Sequence, residues 1–305
     1  MTDSSTTPRR HRGDFRFLGN FTYFVPGWRE IFMLLLWLLV GAFFGNLCTL
    51  AFVAALGTED GSEYAMLVSY PMMFIPPMIY ASFQSRKNSY SESGVKLDSS
   101  HFSPLGGLLC AVLVALSTIF LNYSSDPISS AMPDMPDWLK KMMTGMTNGV
   151  IWVDFICVSI FAPICEEWLC RGMVLRGLLH RKVSPAWAIV FSALFFALIH
   201  ANPWQAIPAF LMGCLFGYVY YKTGSLKLMM LMHFTNNTFA LVMANIDSLK
   251  DVENWSDLFK GSTYWLIFAA CLAALALIVF ALTKIKVTSP EGSSDVVPSI
   301  YSSSE

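Results

Sequence analysis

Cys165-Glu166-Glu167-Trp168-Leu169-Cys170-Arg171-Gly172 lies inside a long apolar run. The run reads as a membrane-spanning helix, where ionisable side chains are costly. Each adds about 2.5–3.5 kcal/mol on insertion scales, so such groups face one another or a polar cavity. Two later apolar helices each carry one histidine, His200 and His233, and Asn237 follows the second by one turn. Glu166, His200, His233 and Asn237 are therefore candidates for a single site within the bilayer.

Composition agrees with a membrane setting. Of 305 residues, 55% are hydrophobic and 13% charged, and the mean hydropathy is +0.52. A soluble domain carries about 25% charged residues. Length alone suggests two domains, but the long apolar runs override that prior. A net charge of −1 gives no indication of a nucleic-acid partner. The seven cysteines all fall in or beside apolar runs, without zinc-finger spacing. They read as small buried hydrophobes rather than a disulfide framework or a nucleophile.

Outward from the glutamates, the pattern predicts an all-α polytopic membrane protein with about eight transmembrane helices. The expected spans are about 31–56, 64–83 (broken by Pro76-Pro77), 105–121, 150 through the glutamate motif, 186–200, 206–221, 226–246 and 264–282. Residues 1–27 form a basic tail with Arg9, Arg10, Arg12 and Arg16, too long for a signal-peptide leader region. Residues 28–149 hold the first three spans and a short interfacial helix. In that helix Met135, Trp138, Leu139, Met142, Met143 and Met146 recur at helical spacing, with Asp137 as a cap. Residues 150–246 form the helical core that carries the candidate site, in spans four to seven. Residues 247–286 hold an acidic loop and the last span, and 287–305 form a Ser-rich tail expected to be disordered.

Eight spans put both termini on one side. Lys and Arg concentrate there: in the tail, at Arg86, Lys87 and Lys96, through 171–182, at Lys222 and Lys227, and at Lys284 and Lys286. The positive-inside rule then places both termini in the cytoplasm. The expected location is an integral protein of a bacterial plasma membrane.

Glu167 and Arg171 are four apart, so they stack on one helix face and pair. Glu166 projects about 100° away and faces a different neighbour. A structural ion-pair cluster is the alternative reading of this motif. The turn between spans four and five falls near Val183, with Glu166 seventeen residues before it and His200 seventeen after. In straight antiparallel helices the two would lie level. Phe196 shares the face of His200, and Asn236 replaces Asn237 if span seven is rotated. Such a set can hydrolyse a peptide bond. A carboxylate removed from water is the better base. Glu166, helped by His200, would hold and deprotonate the water, and His233 and Asn237 would donate to the oxyanion. Zinc bound by the glutamates and histidines is the alternative. No His-Glu-x-x-His is present and the ligands would come from separate helices, so the metal-free arrangement, without a cofactor, is preferred.

Glu166-Glu167-x-x-x-Arg171-Gly172, Phe196-x-x-x-His200 and His233-x-x-x-Asn237 resemble the CPBP intramembrane protease family, also called Abi. That family includes type II CAAX prenyl endopeptidases and bacteriocin-processing or immunity-associated proteins. The likeness covers about residues 150–245. It implies a glutamate-dependent intramembrane endopeptidase with Glu166 activating water, His200 assisting, His233 and Asn237 in the oxyanion site, and Glu167 and Arg171 supporting. It also implies a peptide or membrane-protein substrate met within the lipid bilayer. The prenyl substrate of eukaryotic relatives is not expected of a bacterial chain. A non-catalytic immunity or scaffold protein, a proton-relaying transporter and a zinc-dependent membrane protease are the competing readings.

Overall fold

In a computed structural model the chain is described over residues 17–90, 94–145, 149–249, 252 and 254–287, excluding the side chains of 59 and 142–145. The architecture is all-α, and no strand occurs among the described residues. We number the principal helices α1 (Trp28–Leu56), α2 (Thr58–Asn88), α3 (Gly107–Ser124), α4 (residues 151–180), α5 (Pro185–Ile199), α6 (Pro203–Thr223), α7 (Leu226–Ala244) and α8 (Gly261–Thr283). Shorter helices, Asp126–Ser130, Asp137–Gly145 and Trp255–Leu258, decorate one end of the bundle.

Each helix follows from a mainly apolar stretch, and several carry clear stop signals. Asn202 caps α6 by accepting the Gln205 N–H, and Gly224 ends α6 in the left-handed conformation. Ser225 then caps α7 by accepting the Leu228 N–H. The hairpin of α1 and α2 is drawn tight at Gly41, where any Cβ would strike the Met73 carbonyl. Pro71, Pro76 and Pro77 lie within α2, which continues through all three instead of breaking at 76–77.

α4 is the exception to regularity. It begins as an α-turn at Ile151–Asp154 and widens into a π-helical stretch, Phe155–Phe161. It tightens over Ala162–Glu167, widens again over Trp168–Leu175 and ends as α-helix at Arg176–His180. Pro163 has no N–H for the Ser159 carbonyl, so the wide turn before it absorbs the proline. α4 packs against α2, α5, α6 and α7, and every residue from Cys165 to Leu179 is buried.

Among the described residues, four helical segments are long and apolar enough to cross a membrane: Trp28–Leu56, Asp60–Asn88, Gly107–Ser130 and Gly261–Thr283. α4 to α7 do not reach that standard. α4 is interrupted, and α5 has 15 residues, about 22 Å of helix against a hydrocarbon core of about 30 Å. α6 and α7 are diluted by Gln205, Lys222, Thr235, Asn236 and Asn237. The expected eight spans thus divide into four apolar helices and four that carry the polar interior. The interfacial helix forms, but Asp137 is its first residue rather than its cap. Leu139 is buried while Trp138 is exposed. Met146, Lys250, Asp251, Glu253, most of the basic tail and the tail from 288 onward lie outside the described residues.

Candidate active site

The two adjacent glutamates of α4 have different surroundings. Glu167 is fully buried and saturated. Arg171 Nη1 donates to both its oxygens at 2.8 Å, and His233 Nδ1 lies 2.8 Å from Oε1. The guanidinium is held in turn by the Gly213 carbonyl, 3.1 Å from Nη2. It also lies over the rings of Phe196 and Phe216, 4.6 and 5.2 Å from their centroids. Gly213 permits this approach, since an added Cβ would come 3.0 Å from Ala193 and 3.4 Å from Nη2 of Arg171.

Glu166 points the other way. Its Oε1 accepts the Tyr70 hydroxyl from α2. Its Oε2 is buried and has no hydrogen-bond partner, and it lies 4.0 Å from Nε2 of His233. His233 is thus fixed by Glu167 through one nitrogen and turned toward Glu166 with the other. The edges of Phe196 and Phe216 confine its ring, with centroids 5.6 and 6.0 Å away.

His200 is the C-terminal cap residue of α5. Its Nδ1 pairs with the Phe196 carbonyl at 2.7 Å, not with Glu166. Ala201 follows in the left-handed region at φ 55°, and Asn202 Nδ2 donates to the His200 carbonyl at 3.0 Å. Asn237 donates through Nδ2 to the Val158 carbonyl at 2.8 Å, a carbonyl of the first π-helical stretch. The Asn236 amide donates to the side-chain oxygen of Asn237 at 3.2 Å.

These groups meet around one cavity of about 560 Å³, lined by Glu166, His200, His233, Asn236 and Asn237 as well as Tyr70. Such a volume is typical of ligand sites. Met73, Met212 and Phe216 supply apolar lining, and Asn122, Asn202 and Gln205 add polar side chains. Of the six residues singled out from sequence, Glu166, His200, His233 and Asn237 line the cavity, and Glu167 and Arg171 stand behind His233. Sequence reasoning did not reach Tyr70, the Val158 carbonyl or the Phe216 wall. A single tyrosine in an apolar run gives little signal, although Met66, Tyr70 and Met73 share one helical face. Among the described residues, no group of three or more His, Cys, Asp or Glu is placed to hold a metal ion.

Comparison with known proteins places part of the chain in a class of membrane peptidases. Residues 148–239 match the family described as type II CAAX prenyl endopeptidase Rce1-like. That stretch is an Rce1-like domain of the CPBP/CAAX protease family, in agreement with the resemblance carried by the glutamate, histidine and asparagine motifs. It covers α4, α5, α6 and most of α7, less than half of the chain, and it supports, in general terms, a CAAX-type intramembrane endopeptidase. No curated protein and no solved structure matches the chain.

Proposed function

We propose that the protein hydrolyses a peptide bond within the membrane, with Glu166 as general base, and does so without a metal. The unpartnered Oε2 of Glu166, facing the His233 imidazole across 4.0 Å, carries this reading. A gap of that size suits a water bonded to both groups. His200 Nδ1–H donates to the Phe196 carbonyl, which leaves the Nε2 lone pair of this cavity-lining ring to assist the water. Glu166 removes one proton as the water oxygen attacks the scissile carbonyl. In its protonated form His233 donates through Nδ1 to Glu167 and through Nε2 to the oxyanion, and the second N–H of Asn237 adds a donor. Glu166 then returns its proton to the leaving amine as the C–N bond breaks. Glu167 and Arg171 keep the imidazole in place.

The substrate we infer is a peptide or a membrane-protein segment, without a prenyl requirement and without nucleic acid. Both termini are proposed to be cytoplasmic, because in an eight-span reading Lys and Arg concentrate in the segments on their side of the membrane. The α5–α6 turn, with Asn202 and Gln205, then faces the opposite side. Cysteine labelling at Gln205 and Lys182 in sealed vesicles tests this, since only one of them should be reached from outside.

The decisive experiment is cleavage of a peptide library, with prenylated and unprenylated arms, by the purified protein and by Glu166→Gln, each with and without a chelator. Loss of cleavage in the variant and indifference to chelator are expected. Chelator inhibition reversed by zinc would favour a metallopeptidase. Activity retained by Glu166→Gln would end the proposal.

A further inference from the structure

We infer that Tyr70, on α2 and outside the Rce1-like stretch, is a positioning residue for Glu166, so that the working site includes the N-terminal hairpin. The inference rests on the reading of Glu166 as general base. A general base must present one oxygen to water in a fixed direction. A carboxylate on a flexible side chain does so only if its other oxygen is held.

Glu167 is oriented from within the family stretch, by Arg171 and His233. Glu166 is not. Its one hydrogen bond comes from the Tyr70 hydroxyl to Oε1, and Oε2 is left without a partner beside Nε2 of His233. One oxygen is thus anchored and the other is available.

The anchor is itself well placed. Tyr70 lies in the interior of α2 and lines the active cavity beside Met66 and Met73. Its ring packs on Phe74, 5.7 Å between centroids, and Phe74 is fully buried. α2 packs directly on the first π-helical stretch of α4. The phenol is therefore delivered by a rigid element, as precise positioning requires. A tyrosine serving only as packing would not need its hydroxyl aimed at a carboxylate oxygen. Phenylalanine would fill that apolar wall equally well.

Tyr70→Phe removes only the hydroxyl, and Tyr70→Leu removes the ring as well. The expected result is a fall in kcat of about 10- to 100-fold for both, the range for losing a hydrogen bond to a charged group. KM should stay within about twofold, and the melting temperature of Tyr70→Phe should be close to that of the native protein. A packing role predicts otherwise: full activity in Tyr70→Phe and loss only in Tyr70→Leu. That pattern would overturn the inference. If Tyr70→Phe does not accumulate folded, 3,5-difluorotyrosine at position 70 keeps the ring and strengthens the donor. It should lower kcat severalfold, and an unchanged kcat there would equally refute the idea. Glu166→Gln, run alongside, separates the two levels. Its inactivity combined with a fully active Tyr70→Phe condemns the positioning role alone, whereas an active Glu166→Gln removes the premise.

Discussion

α4 and α8 are both apolar helical segments, and they differ in almost everything else. α8 is a regular helix of 23 residues in which Tyr264, Ile278 and Leu282 are the buried residues. Trp265, Leu266, Leu277 and Phe280 are exposed on its surface. α4 alternates between α- and π-helical turns, and the fifteen residues from Cys165 to Leu179 are all buried. One helix presents its side chains to lipid and the other is enclosed by its neighbours. High hydropathy marks the first kind. The second can hold two glutamates and two arginines because protein groups, not lipid, surround them.

If that contrast is right, substitutions should separate by location. The largest effect is expected at Glu166→Gln, which keeps the shape and removes the proposed base. Peptide cleavage should fall by about 10³-fold or more, with the protein still folded by its melting curve. Arg171→Met comes next. It leaves the buried Glu167 carboxylate without its cation, and breaking a buried pair in this way costs about 3–5 kcal/mol. Thermal unfolding in detergent should show a large drop. Asn237→Ala removes the proposed oxyanion donor and the tie to the Val158 carbonyl. Such a loss typically lowers kcat by about 10²–10³-fold, and steady-state kinetics should show it with little change in KM. At the small end, Leu277→Ala on α8 should alter stability by no more than about 0.5 kcal/mol. A large destabilisation at Leu277 would show that α8 is not the peripheral helix its exposure indicates.

Much of this was legible in the chain itself. The i,i+4 spacing of Glu167 and Arg171 foretold their ion pair, and that of His233 and Asn237 foretold a shared face; both pairs are found. The apolar runs located the principal helices within a few residues. What escaped has physical reasons. Glu166 and His200 do line one cavity, but the sequence did not show that α4 is widened twice or that His200 bonds backwards to Phe196. The partner of Asn237 is a main-chain carbonyl, whose availability depends on the irregular turns around Pro163. Tyr70 lies nearly a hundred residues from Glu166, and a contact between distant helices leaves no periodic trace. By length and composition α5 to α7 fall short of ordinary spans, α5 because it is short and α6 and α7 because polar residues weaken them.

Arg176 carries a lesson for anyone tempted to express the family-matched stretch alone. Its guanidinium is buried without a carboxylate, and it is satisfied by main-chain oxygens of Gly172, Val95 and Phe24. Two of those three acceptors belong to segments far upstream, before α1 and after α2. A fragment beginning at 148 would keep the cation and forfeit most of its solvation shell of peptide oxygens. Minimal versions of this protein should therefore retain the chain from Phe21 onward, or exchange Arg176 for an uncharged residue of similar bulk.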